Sequence, residues 1–291
     1  MPHRTLISVA DLLPRLDDPL WVIVDCRFDL AAPAKGATEY LEAHVPGALY
    51  AHLERDLSGP PTGANGRHPL PPPRILAATF SRWGIGRGVQ VVSYDDNGGS
   101  FAARLWWCLR YLGHEDVAVL DGGMRAWRET GGPVRSGEER GRARDFEPDV
   151  RTGLLAHAAD VLAALGNPDA LLIDSRAPER YRGDEEPLDP VAGHIPGARN
   201  RPWQENIGLD GKMRPAGALS SALERLLGGR SPAAAIVYCG SGVTACQNLL
   251  AMEHSGLAGA RLYGGSWSEW CSDVSRPVAV GEERMPHDLN A

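Results

Sequence analysis

Five short motifs occur twice in this chain, in the same order. The first half reads VIVDCR around Asp25, AHVPGAL at His44, VVSYDD at Tyr94, LDGGMRAW at Gly122, and then GGPV. The second half reads LLIDSR around Asp174, GHIPGAR at His194, IVYCGS at Tyr238, LYGGSWSEW at Gly264, and then SRPV. The separation between partners is nearly constant. A repeat this long means two whole domains, because solenoid repeats run only about 20–50 residues. The length of 291 residues agrees, since a domain takes roughly 100–200. The copies are placed at 5–134 and 154–285. Between them RSGEERGRARDFEPDVRTG (135–153) is charged, poor in large apolar residues and contains Gly and Pro, so it reads as the linker.

Within each copy, short apolar runs alternate with helix-length segments. In the second copy LLID (171–174) and AAIVY (234–238) are strand candidates, while SALERLL (221–227) and TACQNLLAMEH (244–254) carry helical spacing or helix formers. The first copy matches with WVIVD, ILAATFSRW, VQVVSY and FAARLWWCLRYL. Strand–helix alternation implies an α/β class: two tandem domains, each a mostly parallel sheet flanked by helices on both faces.

The chemistry is expected where AAIVY ends. In open α/β sheets, ligand sites lie beyond the carboxyl ends of the strands. There stands Cys239, followed by Gly240, Ser241, Gly242, Val243 and Thr244 and then a helix. The glycines let the backbone curl its N–H groups toward one spot, and the helix adds its positive end. Both features favour a nucleophilic thiolate. Cys26, Cys108, Cys246 and Cys271 lack this context and read as small buried hydrophobes. In the first copy Asp95 stands in the place of Cys239, so that loop holds no thiol.

Several classes are excluded. The net charge of -7 argues against a nucleic-acid partner. The longest apolar runs fall far short of the roughly 20 residues that span a bilayer, and the N-terminus lacks a signal peptide's apolar stretch, so a cytoplasmic protein without membrane association is expected. Five cysteines, with no Cys-x-x-Cys, argue against a disulfide scaffold and against a zinc site. No metal and no cofactor are expected.

The paired HVPGA and HIPGA segments, the duplication and CGSGVTAC resemble the two-domain rhodanese family over nearly the whole chain. Within it the Cys-Gly-Ser-Gly-Val-Thr loop is similar to that of the 3-mercaptopyruvate sulfurtransferases, whereas thiosulfate-preferring members carry basic residues after the cysteine. The resemblance implies a sulfurtransferase that moves a sulfane sulfur from 3-mercaptopyruvate, a small-molecule donor, to cyanide or a thiol such as thioredoxin. The sulfur rides as a persulfide on Cys239. It implies a catalytically silent first domain, and it matches Arg180 to the arginine that binds the donor's anionic group, with Arg182 as a second candidate. One departure is plain: EEPLDPVAGHIPG holds no arginine where mercaptopyruvate enzymes often carry one. Arg27 and Arg176 read as structural ion-pair partners. His44 and His194 repeat in both copies and so read as structural. Trp203, Trp267 and Trp270 read as core or pocket wall.

Three other readings bear on the same loop. Thiosulfate:cyanide sulfurtransferase shares the fold and nucleophile, and loop charge discriminates it. A cysteine phosphatase needs an arginine closing the loop, where Ala245 stands. A non-enzymatic rhodanese-like module would have lost the cysteine.

Overall fold

The computed structural model describes residues 2–283. They form two compact units: residues 2–60, 70–152 and 206–216 make the first, and residues 61–69, 153–205 and 217–283 make the second. Each unit is built on one five-stranded sheet in which every strand pairing is parallel.

In the first unit the strands are β1 (Leu6–Ile7), β2 (Trp21–Asp25), β3 (Leu49–Tyr50), β4 (Gln90–Tyr94) and β5 (Val117–Leu120), in the spatial order β1-β5-β4-β2-β3. In the second they are β6 (Leu155–Ala156), β7 (Leu171–Asp174), β8 (Arg199–Asn200), β9 (Ala235–Tyr238) and β10 (Arg261–Tyr263), in the order β6-β10-β9-β7-β8. The two orders are the same, so β4 and β9 are the central strands. Every residue of β4, β7 and β9 is buried. This is why those runs read as continuous Val, Ile and Ala rather than as an alternation: helices cover both faces.

Equivalent buried ion pairs brace the two sheets. Arg27 Nη2 lies 2.6 Å from Asp25 Oδ2, and Arg176 Nη2 lies 2.6 Å from Asp174 Oδ2. Each guanidinium also donates to the backbone just before the repeated histidine, to Ala43 O at 2.7 Å and Gly193 O at 2.6 Å. The histidines are structural in the same way. His44 Nδ1 sits 2.7 Å from Tyr40 O and its ring stacks on Tyr40, and His194 Nδ1 sits 2.8 Å from Tyr181 O and stacks on Tyr181. Trp267 and Trp270 are fully buried in the second core beside Ile236 and Tyr238, and Trp203 is half-buried.

The stretch 135–153 is laid along the first unit. Arg135 exchanges backbone hydrogen bonds with His44, the Arg144 amide donates to Ser81 O, and the Asp149 and Arg151 amides donate to Leu112 O and Tyr111 O. Phe146 is buried. The low apolar content reads as linker, yet backbone N–H groups and one aromatic ring are enough to bind a strap to a surface. Two shorter pieces are exchanged between the sequence halves. Residues 206–216 pack in the first unit, where the Met213 amide donates to Asp121 Oδ1 at 2.8 Å, and residues 61–69 pack in the second.

Candidate active site

Cys239 follows the last residue of the central strand β9 and is 2% exposed. The loop 239–244 leads into the helix Ala245–His254. The Gly242 N–H points at Cys239 Sγ from 3.2 Å. The Cys239 backbone is held from the segment after β10: its N–H donates to Ser266 Oγ at 3.1 Å, its carbonyl accepts from the Trp267 amide at 3.0 Å, and Gly240 O accepts from the Ser268 amide at 2.9 Å. Ser266 has φ +54°, and no other non-glycine residue among the described ones has positive φ. Its hydroxyl donates to Tyr263 O at 2.8 Å, so the strained residue is pinned on both sides. In the first copy the Met124 amide donates to Asp95 O at 2.8 Å, as Trp267 does to Cys239. Gly123, at φ +56°, is therefore the counterpart of Ser266, one residue off the pairing of Gly122 with Gly264 that the motifs suggest.

Gly242 adopts φ +75°, and a Cβ there would come 2.2 Å from Gly264 O, a backbone atom that cannot swing away. Left-handed backbone costs a non-glycine residue about 1–2 kcal/mol, and the collision adds to it. Gly242→Ala is expected to lower the melting temperature and to reduce kcat/KM by at least tenfold, since relief of the clash moves the amide that faces the sulfur. Thermal melting and steady-state kinetics on the same sample check this.

Two guanidiniums cover Gly240. A Cβ built on it would lie 2.8 Å from Arg67 Nη2 and 3.3 Å from Arg180 Nη1. Arg180 is held by Glu186 (Nη2–Oε1 2.7 Å) and by Asp189 (Nη2–Oδ2 3.1 Å). Arg67 Nη1 pairs with the other oxygen of Asp189. No described hydrogen bond uses Arg67 Nη2 or Arg180 Nη1, so these N–H edges are open toward the loop. Ser241 Oγ lies 2.8 Å from Nδ1 of the buried His68. Arg67 and His68 come from residues 61–69, a piece of the first half of the sequence that packs in the second unit.

The loop of the first copy is built around Asp95. Its Oδ1 accepts from the Asn97 and Gly99 amides at 2.8 and 2.9 Å, and its Oδ2 from the Phe101 and Ala102 amides at 2.8 and 2.9 Å. Burial raises the carboxyl above its ordinary pKa, and the four amides oppose that. Its loop, Asp95–Phe101, is one residue longer than Cys239–Thr244. Burial also pushes the Cys26, Cys108 and Cys271 thiols up, with Asp25 adding to the effect at Cys26 and Asp189 at Cys271. These thiols are held in their neutral form, the state expected of packing cysteines.

Of the residues singled out from the sequence, the structure brings together Cys239, Gly240, Ser241, Gly242 and Arg180. Val243 is buried beside them and Thr244 is the residue before the helix. Arg182 is engaged elsewhere: its ion pairs are with Asp184, Glu282 and Glu179. The sequence reading missed Arg67, His68, Glu186, Asp189 and Ser266. Arg67 and His68 did leave one signal: GRHPLPPP puts an Arg-His pair in a proline-bounded loop of the first copy, where the matching GKMRP of the second copy has Lys212 and Met213.

The rhodanese-like domain family matches residues 8–130 and residues 157–273. The chain belongs to the rhodanese-like sulfurtransferase family. It is 48% identical over 284 residues to a Pseudomonas aeruginosa protein, covering 97% of this chain and 100% of that one, provisionally named a 3-mercaptopyruvate sulfurtransferase. It is 41% identical over 286 residues to a Mycobacterium tuberculosis protein, covering 96% and 98% of the two chains, provisionally named a thiosulfate sulfurtransferase. The crystal structure of a 3-mercaptopyruvate sulfurtransferase from Escherichia coli superposes with a TM-score of 0.79 at 30% identity, covering 91% of this chain and 99% of that one. The rhodanese-like fold accounts for both parallel sheets.

Proposed function

We propose that this rhodanese-like enzyme transfers a sulfane sulfur from 3-mercaptopyruvate to a thiol or cyanide through a persulfide on Cys239. The observation that carries the reading is the convergence at one loop: the Cys239 sulfur under the Gly242 N–H, beside the open edges of Arg67 and Arg180. Guanidinium edges suit a carboxylate, which they bind through paired N–H donors. The Cys239 thiolate attacks the donor's sulfur. The carbon–sulfur bond breaks, and its electron pair leaves on the three-carbon fragment as the enolate of pyruvate, which takes a proton at carbon. In this reading Ser241, in hydrogen-bond contact with His68, delivers that proton. An acceptor thiolate, thioredoxin's among them, or cyanide then attacks the outer sulfur, and the sulfur–sulfur pair returns to Cys239.

The first copy, 5–134, is catalytically silent in this reading, because Asp95 fills its loop with a carboxylate that has no sulfur to pass on. The copy at 154–285 carries the nucleophile. Among the described residues no helix is long and apolar enough to cross a membrane, and the reaction needs only small molecules and exposed thiols.

Donor choice tests the reading. With cyanide as acceptor, kcat/KM for 3-mercaptopyruvate is expected to exceed that for thiosulfate by at least tenfold. An approaching dianion is repelled by the Cys239 thiolate twice as strongly as a monoanion at the same distance. A thiosulfate value equal or higher assigns the chain to thiosulfate chemistry instead.

A further inference from the structure

We infer that Asp189, buried beneath Arg67 and Arg180, sets the donor preference by cancelling the charge of the seat that receives the donor. The inference rests on the sulfur-transfer reading of Cys239. Three guanidiniums meet three carboxylates in one chain of contacts. Asp174 pairs with Arg176 at 2.6 Å, Arg176 with Glu186 at 3.2 Å, Glu186 with Arg180 at 2.7 Å, Arg180 with Asp189 at 3.1 Å, and Asp189 with Arg67. The side chains of Glu186 and Asp189 are only 3% and 2% exposed, so solvent screens little of their charge. The cluster sums to zero. An incoming anion therefore finds well-aimed N–H donors, Arg67 Nη2 and Arg180 Nη1, without net positive charge behind them. Hydrogen bonds of that kind serve any carboxylate. What separates a monoanion from a dianion is the net charge, because each added charge acts twice on the dianion.

Asp189 is the member through which this balance can be changed. Glu186 also supports the Leu188 and Asp189 amides at 3.1 Å each and braces buried Arg176, so it holds the local backbone. The described ion pairs of Asp189 are with the two open guanidiniums alone. Asparagine in its place keeps the shape and one acceptor oxygen, and leaves the seat with one unit of positive charge.

The test compares kcat/KM for thiosulfate and for 3-mercaptopyruvate, with cyanide as acceptor, in full-length wild type, Asp189→Asn, Asp189→Glu and Arg67→Gln. Circular dichroism first establishes that each variant is folded. In Asp189→Asn the ratio of thiosulfate to mercaptopyruvate is expected to rise at least tenfold. Asp189→Glu keeps the charge and is expected to keep the wild-type ratio even where both rates fall. Arg67→Gln removes a positive charge from the same seat and is expected to move the ratio the other way, a readout that survives if Asp189→Asn does not fold. An Asn ratio within threefold of wild type, or an equal rise in Asp189→Glu, overturns the inference while leaving sulfur transfer intact. A wild type inert toward both donors overturns the sulfur-transfer reading itself, and Asp189's role with it.

Discussion

Cys239→Ser is expected to reduce sulfur transfer to the uncatalysed level while leaving the melting temperature within about 2 °C of wild type. The hydroxyl can accept the Gly242 N–H as the sulfur does at 3.2 Å, and the change exchanges sulfur for a smaller oxygen without opening a cavity of any size. Oxygen at this position neither forms nor releases a persulfide, so the loss is one of mechanism rather than of degree. Two measurements check it: turnover with mercaptopyruvate and cyanide, and the mass of the protein after donor is added without acceptor. Wild type should gain the mass of one sulfur atom and the variant none. Cys108→Ser serves as the control. Cys108 is fully buried with its thiol held neutral, so that variant loses stability and keeps its chemistry. Substantial turnover in Cys239→Ser, or an equal loss in Cys108→Ser, would defeat the assignment.

Asp95→Asn should give the opposite pattern, a large loss of stability with little loss of catalysis. Both carboxylate oxygens accept two amide hydrogens each. An asparagine keeps one oxygen and turns an NH2 group toward the other two donors. Leaving a buried donor unsatisfied costs about 1–3 kcal/mol, so two cost roughly 2–6 kcal/mol, and the transition of the first unit should fall by several degrees. Because Asp95 is not part of the Cys239 loop, kcat of the folded variant should stay within about threefold of wild type. A hundredfold drop in kcat of folded Asp95→Asn would mean that the first copy takes part in the chemistry. The carboxylate's role here is to fill a ring of amides that would otherwise face inward without a partner.

The long elements were legible in the sequence, and the reason is burial. WVIVD is β2 residue for residue, and LLID is β7. The runs VQVVSY and AAIVY overshoot β4 and β9 by one residue each at the N-terminal end. These strands are covered by helices, so each apolar residue is demanded by its place. The two-residue edge strands β1, β3, β6 and β8 have no such signature, since two residues make no period. The loop at Cys239 was visible because its glycines are local requirements. The cluster around it was not. Arg67 and Asp189 are 122 residues apart in the chain, and only tertiary packing brings a proline-rich loop of one half to the site of the other. Ser266 hid for a subtler reason: its φ of +54° is that of a glycine, and the neighbouring Gly-Gly pair drew the motif match one residue away.

The exchange of residues 61–69 and 206–216 has a bearing on how such a protein can evolve. A tandem duplication begins as two self-sufficient halves, either of which could be lost, shuffled or fused elsewhere by a single recombination between them. Once a loop carrying Arg67 and His68 has been lent by one half, and a hairpin returned by the other, that freedom is gone. A break anywhere in 135–153 severs each half from a piece it now owns only in part. The two copies have become parts of one heritable unit, and the first is retained although its loop carries Asp95 where the second carries Cys239.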